Sequence, residues 1–499
     1  MALNDGQFAL RTLKSPSGRW IIAATVLGSG MAAIDSTVVG IALPTIGREF
    51  HSPFGALQWI VTGYTLSLAA LLLLGGWLGD RYGRRRIFCV GVVWFVVMSA
   101  ACALAPDAAV LIVTRVLQGV GAALLTPGSL SIIESSFVDS DRGGAIGRWS
   151  GLGGVATAVG PLLGGYLVAA ASWRWIFLIN LPVGAAVLAV SPRHVPESRN
   201  PELSGRPDLA GAALAVIALG GITFGLIEGP ANGWSDPVVI TMVVVGVLAG
   251  AAFVVVERAR ASPMLPLDLF RSMQFSATNG VTFVVYAALG VTLFLLPIDL
   301  QVVSGYSPLE SGMALLPLTL IMLTLSARAG RLSYRIGPRL PMSIGPCVVG
   351  LGMALLARPP GTSSYLVAVL PGIVVLGLGL ALTVAPLTAT ALNSAPDSYS
   401  GVASAVNNCV ARLGTLIAVA AIPAIAGITR TSYLRPGLFA PGFRNAAVVA
   451  SGLSVLGGLL SALLIRNAPP PSGRTSTTAG ESAEACVTCA LDAAPLGTR

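Results

Sequence analysis

The sequence predicts an all-α membrane protein, two six-helix bundles with two extra transmembrane helices between them, and three observations carry that prediction. Hydrophobic residues make up 54% of the 499 positions and charged residues only 10%, against about 25% charged in an ordinary soluble domain. Apolar stretches of about twenty residues, the length that crosses a bilayer as a helix, follow one another along almost the whole chain. One segment also recurs: Gly76 to Arg85 matches Gly330 to Arg339, with Gly, Leu, Arg, Gly and Arg in register.

In chain order the spans are expected near 20–43, 57–77, 87–105, 108–131, 145–168, 174–191, 208–228, 236–256, 276–300, 309–328, 341–357, 364–386, 401–424 and 445–465. The first follows a basic start with Arg11, Lys14 and Arg19. It is too long for a signal peptide, and too many spans come after it. The repeat divides the chain into an N-terminal bundle, 1–191, and a C-terminal bundle, 276–466. Between them a linker, 192–275, carries the two additional helices, and 467–499 reads as a disordered cytoplasmic tail. Two homologous halves place a site between them near the midplane, reached from alternate sides as the halves rock.

The net charge of +9 comes almost wholly from arginine, because Lys14 is the only lysine, and it sits in short connections between apolar runs. That distribution signals membrane orientation and not nucleic-acid binding. Arg81, Arg84, Arg85 and Arg86, then Arg258, Arg260 and Arg271, then Arg331, Arg335 and Arg339 mark one side as cytoplasmic. Both termini are then expected on that side of a bacterial inner membrane. The last external loop, with Arg430, Arg435 and Arg444, runs against the rule. Cys89, Cys102, Cys347 and Cys409 fall in apolar runs as small hydrophobes. The Cys486 and Cys489 pair in the tail lacks the second ligand pair that a zinc site needs. No metal or cofactor is expected.

Gly76-Trp-Leu-Gly-Asp80-Arg81-Tyr-Gly83-Arg84-Arg85 resembles the loop signature of the major facilitator superfamily. Asp35 to Pro44, Arg115 to Ala123, Gly160-Pro161-Leu-Leu-Gly164-Gly165, Gln301 to Pro317, and Gly401 to Ala405 with Asn407, Asn408 and Arg412 narrow the resemblance to its fourteen-span drug:proton antiporters. The resemblance covers nearly the whole chain. It implies proton coupling through Asp35 and Arg115, and a cytoplasmic gating motif of Gly76, Asp80, Arg81, Gly83, Arg84 and Arg85. It also implies an antiporter motif, Gly160, Pro161, Gly164 and Gly165, that seals the halves and sets the direction to export. Tyr334 stands where the second copy of the loop signature would carry Asp80, so the latch is expected to be strong in one half only.

The residues also have their own physical readings. Asp35 lies ~15 residues into its helix, ~22 Å from its start at 1.5 Å per residue, inside the hydrocarbon. A carboxylate dried and hydrated in turn as the halves rock can take up and release a proton. Arg115 fits either a partner for Asp35 or a guanidinium that reaches to the interface from its helix end. Asp299, near an external helix end, fits a second proton site or a solvated carboxylate. Gln58, Trp59, Tyr64, Phe283, Tyr286, Gln301, Asn407 and Asn408 are candidates to line a cavity, aromatics stacking on flat compounds and amides orienting them. Packing or lipid-facing roles compete for each.

No catalytic constellation is visible. His51 and His194 fall on opposite sides, and there is no nucleotide-binding glycine loop. The chain is therefore expected to be no enzyme, and the resemblance implies a proton-coupled antiporter that exports small lipophilic or cationic drugs, a multidrug efflux protein. Its partners are a small-molecule substrate, protons and the lipid bilayer, and the proton gradient is its energy source. A monomer is the expected unit. The alternatives are a dedicated exporter of one natural product, antibiotic or lipid, and a non-transporting membrane receptor or scaffold.

Overall fold

Helix starts are written locally in this chain. Ser15 accepts from the Gly18 amide with Pro16 in the first turn, Asp107 from Val110, Asp208 from Gly211, Asp236 from Val238 and Val239, and Ser272 from Phe275. Ser307 and Glu310 form a reciprocal capping box. Each cap satisfies amides that the first helical turn leaves without partners. The computed structural model describes residues 10–200, 207–260, 263–357, 364–395, 400–430 and 432–467. Among them, fourteen helices are long and apolar enough to cross a membrane.

These are α1 (Pro16–Glu49), α2 (Phe54–Tyr82), α3 (Arg84–Ala103), α4 (Ala108–Ser136), α5 (Asp139–Ala170), α6 (Trp175–His194), α7 (Leu209–Asn232), α8 (Pro237–Ala259), α9 (Met273–Val302), α10 (Pro308–Ile336), α11 (Arg339–Leu356), α12 (Leu370–Asn393), α13 (Val402–Ile425) and α14 (Pro436–Leu464). α14 begins earlier than the 445 that hydropathy suggests. Pro436 sits in its first turn, where a missing amide costs nothing, and Arg444 rides exposed on the helix instead of lying in a loop. Likewise Pro386 lies inside α12, which continues to Asn393. The tail from 468 onward, with Cys486 and Cys489, lies outside the described residues.

The two bundles repeat one packing scheme. In the first, α1 packs on α5 and α6, α4 on α2 and α3, and α3 on α6; in the second, α9 packs on α13 and α14, α12 on α10 and α11, and α11 on α14. α7 and α8 pair as a hairpin, with α7 set against α2 and α13. Trp59 of α2 donates to Glu228 of α7 at 3.1 Å and so fastens that hairpin. α8 turns Val238, Val244, Val247, Leu248 and Val255 outward, an apolar face suited to lipid.

The halves meet mainly toward one end, with α2 and α13 still touching midway at Ala69 and Cys409. At that end a single hydrophobic core runs through both bundles, with Val39, Ile46, Phe54 and Leu57 from one side and Phe294, Ile298, Tyr433 and Phe439 from the other. Toward the other end the first bundle keeps a core of its own around Phe88, Phe95 and Ile133, separate from the small clusters of the second. Gly143, Gly147, Gly151 and Gly153 of α5 have nothing within 4 Å of where a side chain would begin, and Tyr334 of α10 is 85% exposed. The molecule is closed at the end of the turns near residues 50–53 and 430–435, and open at the arginine-bearing end.

Candidate functional site

Asp35 and Arg115 meet inside the first bundle. Both are 1% exposed, and the guanidinium Nη1 donates to Asp35 Oδ2 at 2.5 Å. α1 supplies the acid and α4 the base, because the two helices cross where both charges point inward. The same Nη1 donates to Gln118 Oε1 at 2.6 Å, while Arg115 Nε donates to the Ile60 carbonyl at 3.1 Å. Gln118 Nε2 donates to Asp35 Oδ1 at 3.0 Å and Asn180 Nδ2 to the same oxygen at 3.4 Å. Ser99 joins both amides, accepting from Gln118 at 3.2 Å and from Asn180 at 2.9 Å, and donates to the Phe177 carbonyl. The Tyr64 ring lies 4.3 Å from the guanidinium carbon and the Phe177 ring 5.7 Å, which adds cation–π attraction where water is absent.

Arg115 therefore does not reach to an interface; it is held by a carboxylate, an amide and a carbonyl. The sequence points to the charged pair, but not to Ser99 or Asn180 beside it. Gln118 belongs to a quoted motif, yet nothing in its spacing says that it bridges the two charges. A polar residue in an apolar helix is the signal available, and it does not reveal which way the side chain faces.

At the closed end, Gln58 of α2 donates to the Val419 and Ala420 carbonyls of α13 at 2.7 and 3.2 Å. Gln301 of α9 donates to the Ile41 carbonyl of α1 at 2.9 Å. Tyr433 donates to the Ser52 carbonyl at 2.6 Å, and the Phe54 ring packs on Phe294 and Tyr433. In the antiporter motif, Gly160 and Gly164 lie against Thr37 and Val38 of α1. Gly165 faces the other half: a side chain there would begin 2.5 Å from the Pro308 carbonyl oxygen of α10. Gly312 returns the arrangement, leaving no room for a side chain against the Pro161 carbonyl, so α5 and α10 pack backbone to backbone. Pro161 lies inside α5.

The gating-motif residues bond within the first bundle and to the start of the linker, and not to the second bundle. Arg84 donates to Asp80 at 2.8 Å and to the Ser131 carbonyl at 3.3 Å. Arg85 pairs with Glu197 at 3.6 Å, and its amide donates to the same carboxylate at 3.1 Å. Gly83 turns the chain at φ 113, a left-handed value that favours glycine. Gly76 lies against Pro127 of α4, and Arg81 is exposed. At the corresponding place in the second half, Gly337 has φ 84, and the Arg339 amide donates to Asn467.

Five of the eight expected cavity residues are engaged elsewhere. Gln58 and Gln301 join the halves, Trp59 docks α7, and Tyr64 covers Arg115. Asn407 is buried and donates to Asn279 and Thr282 of α9, inside the second bundle. The reason is common to all five: each polar tip finds a partner on the helix that its own helix packs against. Tyr286 and Phe283 of α9 and Asn408 of α13 keep exposure on their helices. Asp299 of α9 is half-buried, and no group among the described residues pairs with its carboxylate.

Residues 25–419 match the Major Facilitator Superfamily. The chain belongs to that superfamily. This facilitator is a multi-pass transporter and not an enzyme, and facilitators move small molecules across membranes. It is 36% identical over 418 residues to the multidrug resistance protein Stp of Mycobacterium tuberculosis, covering 84% of this chain and 77% of that protein. It is also 36% identical to the tetracenomycin C resistance and export protein of Streptomyces glaucescens, covering 80% and 74%. With the methylenomycin A resistance protein of Bacillus subtilis the identity is 34%, covering 85% and 91%. The fold of the facilitator matches the inward-open xylose transporter XylE from E. coli with a TM-score of 0.62 at 15% identity, covering 90% of this chain and 97% of that one.

Proposed function

We propose that this facilitator is a proton-coupled exporter of small lipophilic compounds in a bacterial inner membrane. The observation that carries the reading is the ion pair of Asp35 and Arg115, sealed with Gln118 and Asn180 out of reach of water. Proton uptake by this carboxylate cancels its charge and leaves a guanidinium unopposed in the membrane. The proton and the packing of α1 on α4 therefore cannot change independently, which is what coupling requires. Arginine in the loops of the open end supports a cytoplasmic placement of that end, and on this reading the open state is the one that loads. Both termini then lie inside.

The direction is supported by the export and resistance proteins among the relatives. One proton moving down ~100 mV and one pH unit supplies ~3.7 kcal/mol, enough for a several-hundred-fold gradient. A dedicated exporter of one antibiotic is the second reading, favoured by relatives that are each named for a single compound. The test uses the full chain in vesicles with an imposed pH gradient, following a panel of lipophilic dyes and the internal pH together. Dye movement with proton counterflow, both lost in Asp35→Asn, is the expected result. Dye movement without proton counterflow overturns the coupling.

A further inference from the structure

The membrane interior of this facilitator holds a second arginine, and its surroundings are the opposite of Arg115's. Arg412 lies midway along α13. Cys409 and Val419, one turn before it and two turns after it, both approach α2: Cys409 Sγ lies 3.6 Å from the Ala69 carbonyl, and the Val419 carbonyl accepts from Gln58. Residues 409, 412, 416 and 419 share one helical face, so Arg412 looks across the junction of the halves, on the open side of the Gln58 seal. On the α9 side, Thr415 donates to the Tyr286 carbonyl at 3.2 Å, and neither this tyrosine nor Cys409 is an anion that could neutralise a guanidinium.

Among the described residues no carboxylate pairs with Arg412, and its Nε is buried without a hydrogen-bond partner. Asp35, the carboxylate buried in the first bundle, is engaged by Arg115, Gln118 and Asn180. A cation kept unmatched inside a membrane is expensive and is retained where something else supplies the counter-charge. The approach is open: Asn408, one turn nearer the open end, is exposed, and the cytoplasmic stretch of α5 is uncovered.

We propose that Arg412 is the recognition site for an anionic oxygen on the transported compound, so that this facilitator takes aromatic weak acids, as carboxylates, enolates or phenolates, in preference to lipophilic cations. The inference rests on the export reading and sharpens its substrate class. A guanidinium presents parallel N–H donors that match such oxygens in pairs, and Tyr286 of α9, partly exposed and bonded through its carbonyl to Thr415 one turn along α13, supplies an aromatic group in the same region. A lipophilic cation meets repulsion at the same place.

The test is equilibrium binding to the purified full chain in nanodiscs of zwitterionic lipid, without a pH gradient. Tryptophan-to-pyrene energy transfer would be read for pyrenebutyrate, pyrenebutanol and pyrenebutyl-trimethylammonium. The carboxylate should bind about tenfold more tightly than the alcohol, the scale of one charge-assisted pair, and the ammonium most weakly. Arg412→Gln should bring the carboxylate-to-alcohol ratio near one, and Arg412→Lys should keep part of it. Equal binding of carboxylate and alcohol by the native protein overturns the proposal whether or not the Gln variant folds, as does a preference that survives in Arg412→Gln. Because no proton gradient is present, the result is independent of the coupling test: Asp35→Asn can lose counterflow while the ratio stays.

Discussion

Replacing Asp35 by asparagine leaves the Arg115 guanidinium, 1% exposed, with no counter-charge inside the membrane. Asparagine keeps the shape and can still accept from Gln118 or Arg115 through its one oxygen, but the second oxygen becomes an amide that faces donors. Breaking a buried pair from one side costs about 3–5 kcal/mol, whereas replacing both partners by neutral groups is close to neutral. Asp35→Asn alone should therefore melt well below wild type, and Asp35→Asn with Arg115→Gln should recover most of the loss. The assay is thermal unfolding of the four purified proteins of this double-mutant cycle in one detergent. A single variant that melts with wild type, or a double variant as unstable as the sum of its singles, would refute the claim that the two charges depend on each other.

Other substitutions separate the closed end from the arginine-bearing loop. Gly165→Ala would place a methyl 2.5 Å from the Pro308 carbonyl oxygen, which is backbone and cannot turn aside; it should push α5 from α10 and open the closed end. Spin labels on the turns near 50–53 and 430–435 should report a longer separation, and an unchanged distance would show that the crossing tolerates the methyl. Asp80→Asn removes the 2.8 Å pair with Arg84, whose side chains are 20% and 32% exposed. Its melting cost should stay within about 1 kcal/mol because water screens the pair, so a loss as large as that of Asp35→Asn would contradict the contrast drawn between the two pairs.

Much of the architecture is legible because hydropathy is a local property. Each span must be apolar over about twenty residues whatever it packs against, and the caps at Ser15, Asp107 and Ser307 mark starts in the same local way. The buried ion pair is partly legible for a related reason: a charge in such a run is costly enough to stand out, as Asp35 and Arg115 do. Neutral polar groups do not stand out in that manner. Gln58, Gln301 and Asn407 are alike as amides in apolar helices, yet two close the seam between the halves and one tightens a single bundle. Arg435 and Arg444 read as loop residues by their charge, although Pro436 starts a helix that carries Arg444 on its exposed side.

The sequence by itself determined that this chain crosses a membrane about fourteen times, that its halves repeat, and that a carboxylate, Asp35, lies within the hydrocarbon. Only the tertiary structure decided that one arginine is matched by Asp35 while Arg412 is not, and that the halves close at the end of Gln58 and Gln301 and part at the other. Hydropathy and capping are settled within a helix. Which charges meet, and which end is shut, depends on how whole helices rotate and lean on one another, and a facilitator must hold two such arrangements close in energy.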